Sequence, residues 1–520
     1  MARVVTKEVA AKMIDNGKVV AINGFGPLAQ PENIEVAIKE RFDAEQEPRD
    51  LTLVVAAGQG IYDRKSYIDQ ISMEGLFTKV IAGHYRSMLT IADLGAQEKL
   101  EAYNIPMGVI SQMFRAMAGK KPGILTKVGL KTLCDPRLEG GRLNSISKDS
   151  MIELFKTGGE EYLFYKAFPL DYALLRGTTA DPNGNITMVK EAVFLDALSM
   201  AQAAKTNGGK VIVQVERLSD MPANPRDVKI PGLLVDAIVV APDQKQTHFE
   251  VYNPYFTGEM RMEESDIPEF LKTLKERASA SGKKRALSHY IITRRAAEEV
   301  PQDCVANLGG GLPEMVGWFI DPQKNCTLTV ESGVLGGIPT NGPDFGAAIN
   351  QQAVYDQPYQ FDFYDGGGLD ITFLGALEVD KVGNVNVSRS GDNIVGIGGF
   401  INITQNTKKV VYCFPFSVKG QVISFSDGKL NVDQEGKILK FNEKVQQVSF
   451  SGDYANDTEQ EVLYITERCV FKLEKEGLHL IEIAPGIDLM SQIIDLIPFE
   501  ITIAEDLKLM DAKYFAPPEE

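Results

Sequence analysis

Histidine and cysteine are scarce in this chain, which has 520 residues but only four histidines and five cysteines. No two cysteines form a C-x-x-C pair, and an odd, dispersed set is typical of reduced thiols rather than of a disulfide framework or a zinc site. Few residues are therefore present that could form a histidine-based triad or a metal site. We expect no metal, and carboxylate side chains become the main candidates for catalysis. The residues concerned are Cys134, Cys304, Cys326, Cys413, Cys469, His84, His248, His289 and His479.

Basic charge is also in short supply, with 54 Lys+Arg against 71 Asp+Glu and a net charge of -17. This balance argues against a nucleic-acid or anionic membrane partner, although it leaves room for a local basic pocket. No apolar run reaches membrane-spanning length, and the N-terminus has no apolar targeting region. We therefore expect a cytoplasmic protein without nucleic-acid or membrane partners.

Strand-like runs alternate with glycine turns and helical periodicity through the first 170 residues. Lys18–Asn23 predicts a strand, Gly24–Pro31 a turn rich in breakers, Glu32–Phe42 a helix and Leu51–Ala57 a second strand. This alternation predicts an α/β fold with mainly parallel sheets. The last hundred residues predict a β-rich part with strands at Val422–Phe425, Lys440–Phe450 and Tyr464–Phe471.

The second half of the chain repeats features of the first. Asp171 and Asp181 bracket an apolar run, and so do Asp370 and Asp380; each pair continues as D-x-x-G-N followed by a β-branched residue. We infer an internal duplication that gives two related α/β domains.

Small, polar and basic residues cluster within Phe270–Arg285 and predict an exposed linker. The predicted organisation is an N-terminal domain at 1–275, a linker at 276–289 and a C-terminal domain at 290–520 that carries the candidate acid described next.

Glu331 stands at the end of a β-branched run, Thr327–Val330, and opens into a loop with glycines at 333, 336, 337 and 342. An ionisable group at the carboxyl end of a strand is where open α/β sheets place ligands. The alternative is that Glu331 is a solvated residue at a strand end.

Two further glycine loops, Asn23–Gly26 and Asn307–Gly311, each follow a strand and precede a helix. Such loops suit an anion at a helix N-terminus, or only the tight strand–helix packing that glycine permits. Neither completes a dinucleotide or P-loop fingerprint.

The motif Glu331-Ser-Gly-Val-Leu-Gly-Gly-Ile-Pro resembles the signature of the family I coenzyme A transferases. Asn307–Pro313, Phe361–Asp370, Tyr464–Phe471 and Leu480–Asp488 are similar to the same family, and the match covers nearly the whole chain. The branch with the greatest resemblance is that of the propionate CoA-transferases, in which both family domains are fused. The internal duplication agrees with this paired arrangement.

The resemblance implies a ping-pong transfer of coenzyme A between a short-chain acyl-CoA and a free carboxylate such as acetate or propionate. Glu331 would form an acyl anhydride and then a glutamyl-CoA thioester. No permanently bound cofactor is expected, since coenzyme A is a substrate, and a homo-oligomer is expected. The glycine loop would contact coenzyme A through Gly309, Gly310, Gly311, Leu312 and Pro313.

The oxyanion site is expected at Gly398 or Gly399, one of which would donate its N–H, and at the turn of Met107 and Gly108. The family usually has Gln before the glycine of this turn, and its amide supplies a second donor. Met107 cannot donate a hydrogen bond. Another group or a water would have to replace the amide, or activity would be lower, or the acyl pocket would be reshaped.

Two rival functions remain open at this point. An acyl-CoA hydrolase would replace the acceptor carboxylate with water, and a CoA-binding protein without catalysis is conceivable because of Met107. A nicotinamide-dependent dehydrogenase is disfavoured by the incomplete fingerprints.

Overall fold

The computed structural model describes residues 2–247, 251–279 and 285–516, so His248 lies outside the described residues. The chain forms two compact units. Unit 1 combines residues 1–278 with two later segments, 330–363 and 392–402, and unit 2 combines 279–329, 364–391 and 403–520. The predicted boundaries at 275 and 290 describe the duplicated halves of the sequence and stay a prediction.

Unit 1 is built on a parallel sheet in which most neighbouring main strands also follow one another in the sequence. In spatial order the main strands are Arg3–Val5, Ala237–Val240, Lys210–Leu218, Tyr172–Ala180, Val19–Ile22, Leu51–Val55, Phe77–Ala82 and Glu101–Asn104. The two short strands Ile186–Thr187 and Val228–Ile230 add antiparallel pairs. A separate antiparallel sheet contains Gly123–Thr126, Glu160–Lys166 and Ile152–Thr157.

The helices of unit 1 are Lys7–Lys12, Glu32–Glu45, Tyr67–Ile71, Leu89–Ala96, Met107–Ala118, Ala197–Thr206, Pro254–Thr257 and Ile267–Ser279. All but the last two lie between strands of the sheet in the sequence and bury apolar residues, as expected for parallel β-α-β units. The later segments add the hairpins Val334–Leu335 with Ala353–Val354 and Ile338–Pro339 with Ala348–Ile349, the strand Asn393–Ile394, and the start of the helices Gln357–Asp365 and Phe400–Gln405.

Unit 2 has its own sheet and its own buried core. Its first five strands are parallel neighbours in the order Thr327–Val330, Val305–Leu308, Ile371–Leu374, Lys409–Cys413 and Glu461–Ile465. The sheet continues antiparallel through Cys469–Glu474 and Gly477–Ile483 and ends with Thr502–Leu509.

Short strands and few helices fill the rest of unit 2. The helices are Leu287–Ala297, Gly452–Asp457 and Leu489–Gln492. The strands are Glu378–Asp380, Val385–Asn386, Arg389–Ser390, Ser417–Val418, Val422–Ser426, Lys429–Gln434, Ile438–Leu439 and Phe441–Asn442. The predicted α/β class, with mainly parallel sheets and a β-rich C-terminal part, is confirmed.

The duplicated aspartates make the same hydrogen bonds in the two units. Asp171 accepts a bond from the N–H of Val19 at 2.9 Å, and Asp370 accepts one from the N–H of Val305 at 2.8 Å. Asp181 and Asp380 each accept backbone N–H bonds two and four residues ahead. The sequence repeat is therefore also a repeat of local structure.

One expectation about local structure is wrong, and another stays a prediction. The first part of the linker predicted at Phe270–Arg285 belongs to the helix Ile267–Ser279, in which Ile267, Phe270 and Leu271 have helical spacing. Residues 280–284 lie outside the described residues, so the linker itself stays a prediction. The strand predicted at Lys440–Phe450 is limited to Phe441–Asn442.

The shortened strand has an identifiable cause. The N–H groups of Val445 and Gln446 donate to the carboxylates of Asp380 and Glu378, at 3.3 and 2.8 Å. These backbone donors are satisfied by side chains and are not available to a neighbouring strand. Over the described residues, no helix is long and apolar enough to cross a membrane.

Candidate active site

Glu331 follows the strand Thr327–Val330 directly and is the first residue of a tight turn. The N–H of Gly333 closes this turn on the carbonyl of Val330 at 3.1 Å. Glu331 is partly exposed, whereas Ser332, Gly333 and Val330 are buried around it. Glu331 is therefore a partly exposed residue on a fixed backbone at the end of a strand, which is the position that the sequence indicated for it.

Two glycines of this loop have no room for a side chain. Gly333 has a φ of +106°, and a Cβ there would lie 2.0 Å from the carbonyl oxygen of Tyr355. Gly337 has a φ of +76°, and its Cβ would lie 2.2 Å from the carbonyl oxygen of Ile349. Only glycine permits both the left-handed backbone and the close approach, so the loop that carries Glu331 is specified by its glycines.

The Glu331 segment is attached to the first glycine loop of unit 1. Ser332 donates from its hydroxyl to the carbonyl of Gly346 at 2.6 Å. The neighbouring Phe345 stacks on Phe25, with ring centroids 5.7 Å apart. The loop predicted at Asn23–Gly26 as an anion site or as tight packing thus packs against the segment that carries Glu331.

A second attachment connects this segment to the helix Met107–Ala118. The backbone N–H of Tyr355 bonds to the carbonyl of Gly333 at 3.0 Å. Two residues later, the amide of Gln357 donates to the hydroxyl of Ser111 at 2.6 Å and to the carboxylate of Asp196 at 3.2 Å. Because Ser111 belongs to that helix, the buried bonds hold the Glu331 turn in register with the helix that begins at Met107.

The loops at the carboxyl edge of the first sheet are joined to each other by backbone bonds. The N–H of Gly26 donates to the carbonyl of Gly58 at 2.9 Å, and that of Gly60 donates back to Gly26 at 3.0 Å. Asn104, at the end of its strand, donates its side-chain amide to the carbonyls of Ala82 and Gly83 at 2.9 and 2.6 Å. Such an edge is where open α/β sheets bind ligands.

Segment 392–402 lies on this same edge. The N–H of Gly398 donates to the carbonyl of Gly83 at 2.7 Å, and the N–H of Met107 donates to the carbonyl of Gly398 at 3.0 Å. The N–H of Gly108 donates to the side-chain oxygen of Asn402 at 3.1 Å. The structure therefore brings together the four residues that were predicted for the oxyanion site: Met107, Gly108, Gly398 and Gly399.

These bonds change which of the four can serve as a donor. The backbone N–H groups of Met107, Gly108 and Gly398 are each used within the fold. In the part of the chain that the structure describes, the N–H of Gly399 has no acceptor. Of the two glycines predicted as alternative oxyanion donors, Gly399 is therefore the one whose N–H stays available, and its role stays a prediction.

The side chain of Met107 does not replace the missing amide. Met107 is 2% exposed, and its Cβ lies 3.1 Å from where a Cβ on Gly83 would be. Met113 and Met117 on the same helix are each 3% exposed, so the methionines of this helix belong to the core.

His84 is a residue of this edge that the sequence reasoning missed. It follows the strand Phe77–Ala82, and its backbone forms an antiparallel bridge with Gly396. Removal of the imidazole from water, helped by the charge of Arg86, lowers the pKa of His84 to about 4. The imidazole is thus neutral at physiological pH. The sequence signal that could have identified His84 is its position, directly after a predicted strand and a glycine.

The loop Gly309–Pro313 belongs to unit 2. It follows the strand Val305–Leu308, and its N–H at Gly309 bonds to the carbonyl of Phe373 at 2.8 Å. The N–H of Gly311 donates to the carboxylate of Glu314 at 2.8 Å, and burial raises the pKa of that acid to about 7. The coenzyme A contacts expected for this loop stay a prediction.

Unit 1 also buries a cluster of charged side chains. Arg176 is completely buried and pairs with Glu32 at 2.7 Å and with Glu191 at 2.6 Å. Glu35 is buried beside them, and neither of its carboxyl oxygens has a hydrogen-bond partner in the described residues. Burial, with the charge of Glu32 adding to it, raises the pKa of Glu35 to about 8.

No group of three or more histidine, cysteine or acidic side chains that could hold a metal ion is found among residues 2–247, 251–279 and 285–516. All five cysteines are free thiols in the structure.

Comparison with known proteins is informative over nearly the whole chain. The sequence profile of the family described as Coenzyme A transferase matches residues 4–241. Caffeate CoA-transferase of Acetobacterium woodii is 44% identical over an alignment of 528 positions that covers 99% of this chain and 98% of that protein. Acetate CoA-transferase YdiF of Escherichia coli K12 is 38% identical over 508 residues, with 96% and 92% covered.

A solved structure has the same fold. The acyl-CoA transferase YdiF of Escherichia coli O157:H7 superimposes with a TM-score of 0.91 at 36% identity, covering 99% of this chain and 96% of that chain. A second structure of YdiF, a thioester complex with CoA, matches with the same TM-score and coverage.

Proposed function

This chain belongs to family I of the coenzyme A transferases and transfers coenzyme A between an acyl-CoA and a carboxylate, and we propose that Glu331 is the residue that carries the reaction. The observation that supports this role most directly is the turn at Glu331, where a partly exposed acid follows a strand on a backbone fixed by Gly333. The CoA thioester complex of YdiF indicates the kind of intermediate to expect.

The first half-reaction begins with attack by a carboxylate oxygen of Glu331 on the thioester carbonyl. The tetrahedral intermediate collapses by breaking the C–S bond, which leaves an acyl-glutamyl anhydride and coenzyme A thiolate. The thiolate then attacks the Glu331 carbonyl of the anhydride and expels the acyl group as a free carboxylate. The product is a glutamyl-CoA thioester, and a second carboxylate reverses these steps.

The fold contributes position and an oxyanion donor. A group held close to its target can reach an effective molarity of roughly 10⁵–10⁸ M, which makes a weak carboxylate nucleophile competent. The N–H of Gly399 is the backbone donor that we assign to the oxyanion, worth about 2.7–4 kcal/mol in comparable sites. Gly309, Gly310, Gly311, Leu312 and Pro313 are proposed to contact coenzyme A.

Acetate, propionate and similar short-chain acids are the proposed substrates. The name of YdiF supports acetate, and the propionate branch is supported by the motif around Glu331. We also propose a cytoplasmic homo-oligomer. The five free thiols agree with a reducing compartment, and light scattering of the purified protein tests the assembly.

Trapping the thioester tests the role of Glu331. The protein is incubated with acetyl-CoA alone, treated with borohydride or hydroxylamine, and digested for peptide mass analysis. We expect modification at Glu331 only, and none in Glu331→Gln or in samples without acetyl-CoA. Modification at another residue, or none in a preparation that transfers coenzyme A, would contradict the assignment.

A label-exchange assay separates the proposed activity from its rivals. Exchange of label between acetyl-CoA and free acetate or propionate is expected to require the acceptor carboxylate. Release of coenzyme A without an acceptor would identify a hydrolase. Binding of coenzyme A without any exchange would identify a protein that binds but does not catalyse.

A further inference from the structure

The family resemblance of the sequence implies a side-chain amide at residue 107, which Met107 does not supply, and a different polar side chain, that of His84, lies beside the same turn. His84 lies between two glycines that leave room for its ring. A Cβ on Gly58 would be 2.8 Å from Nδ1 of His84, and a Cβ on Gly398 would be 3.7 Å from its Cδ2. The glycines thus border the imidazole on two sides, one in each of two loops of unit 1.

The backbone holds this ring next to the residues of the oxyanion site. The bridge between His84 and Gly396 is reinforced by the N–H of Tyr85, which bonds to the carbonyl of Val395 at 2.9 Å. On the other side of His84, the carbonyl of Gly83 accepts the N–H of Gly398. His84 therefore follows directly after Gly83, the residue whose carbonyl holds Gly398 in place. Gly399, the next residue after Gly398, has the available N–H.

A neighbouring hydroxyl is compatible with the tautomer that carries its proton on Nε2. The hydroxyl of Ser87, which is 3% exposed, lies 3.5 Å from Nδ1 of His84. A hydroxyl that donates to Nδ1 makes this nitrogen the acceptor and leaves the proton on Nε2. In the part of the chain that the structure describes, Nε2 has no hydrogen-bond partner, and part of His84 is accessible.

We propose that His84 is a catalytic residue that donates a hydrogen bond from Nε2 to the oxyanion of the acyl carbonyl, in the role that the Gln amide usually has. When Glu331 adds to the thioester carbonyl, the oxygen gains negative charge and is bound by Gly399 N–H and His84 Nε2–H. No proton is transferred; collapse of the intermediate restores the carbonyl and expels the thiolate. The proposal rests on the proposed transferase function.

A neutral imidazole is suited to this role. Its pKa of about 4 keeps it uncharged above pH 5, so that it donates a hydrogen bond to the oxyanion and does not act as an acid toward it. The charged group that adds to this shift is Arg86.

The test compares two substitutions at the same position. His84→Leu removes the donor, and we expect kcat for label exchange to fall about 10²–10³-fold, as for loss of one oxyanion donor, with little change in KM for acetyl-CoA. His84→Gln restores an amide donor and is expected to keep kcat within about tenfold of the wild type. The matched control is His479→Leu, at a histidine of unit 2 that bonds to Thr502.

A spectroscopic measurement reads the same residue without relying on turnover. In protein labelled with ¹⁵N-histidine, the four histidines are few enough to assign by substitution. His84 is expected to be neutral with its proton on Nε2 from pH 5 to 8, and its Nε2 resonance is expected to shift when acetyl-CoA is added. This measurement decides the question if His84→Leu does not fold.

Several results would overturn the proposal. They are a kcat of His84→Leu within threefold of the wild type, a His84→Gln variant as impaired as His84→Leu, or a proton found on Nδ1. Failure of the transferase proposal is distinguishable, because the wild-type protein itself would then show no label exchange.

Discussion

Replacing the buried acid Glu35 by glutamine is expected to stabilise unit 1, and more so as the pH rises. Glu35 has a pKa of about 8 in the folded chain against an ordinary value of 4.5. Between these values the folded state keeps a proton that the unfolded state releases, so the free energy of unfolding decreases with increasing pH. Glutamine, which has nearly the same shape and does not ionise, removes this dependence.

The magnitude follows from the difference between the two pKa values. Retaining the proton costs the folded wild type about 3 kcal/mol at pH 7 and about 1 kcal/mol at pH 5. The amide has two N–H donors where the protonated acid has one O–H, and an unsatisfied buried donor costs about 1–3 kcal/mol at either pH, which offsets part of the gain. The pH-dependent part does not change, so we expect Glu35→Gln to gain about 2 kcal/mol in the free energy of unfolding, relative to wild type, between pH 5 and pH 7.

The assay has to report on unit 1 alone, because a chain with two compact units need not unfold in one step. Hydrogen exchange of the helix Glu32–Glu45, measured at pH 5 and 7.5 on the full-length protein and corrected for intrinsic rates, gives this local reading. Trp318 is the only tryptophan and belongs to unit 2, so its fluorescence is an internal reference that should not change.

Glu40→Gln is the matched control on the same helix. Glu40 is exposed and pairs with Lys7 at 3.0 Å, so its replacement should change stability by less than about 1 kcal/mol. A Glu35→Gln variant that gains no stability between pH 5 and 7.5 relative to wild type would refute the reasoning. So would a loss of stability at both pH values.

Three further substitutions probe the site and unit 2. Met107→Gln is expected to preserve or raise the rate of label exchange, because it places an amide beside the proposed oxyanion site. A large loss of rate with an unchanged fold would contradict this expectation. Gly333→Ala should lower the rate of label exchange at least 10²-fold, because its Cβ has no space. The control Gly342→Ala, in the same loop, places a Cβ with no atom within 4 Å and should lower the rate far less. Equal losses would show that lack of space is not the cause. Arg468→Met leaves the fully buried carboxylate of Glu467 without its cation and should destabilise unit 2 by about 3–5 kcal/mol, measured by fluorescence in urea; a change below 1 kcal/mol would contradict this expectation.

Local sequence patterns were sufficient to predict most of the helices and strands and the position of Glu331 at a strand end. The strand Thr327–Val330, the turn at Glu331 and the glycines after it are features of neighbouring residues, which periodicity and turn chemistry describe directly. The repeated aspartates were also readable, because each bonds to backbone N–H groups within its own turn or to the strand beside it.

Contacts between distant residues set the limit of the prediction. Gly398 and Gly399 are equivalent in the sequence, and only the bond from Gly398 to the carbonyl of Gly83 distinguishes them. His84 looks like an isolated histidine until Gly58 and Gly398 are seen beside its ring. The strand expected at Lys440–Phe450 failed for the same reason, since its backbone bonds to carboxylates more than 60 residues away.

Unit 1 is assembled from three separate segments of the chain, and this has a consequence for the order in which the ribosome synthesises its parts. Its core sheet is complete once the first 278 residues have left the ribosome, yet the turn with Glu331 and the segment with Gly399 belong to the same unit and are synthesised later. At about 5–20 residues per second the delay is on the order of 10 s. The proposed nucleophile Glu331 is therefore added to a sheet whose strands have all been synthesised before it.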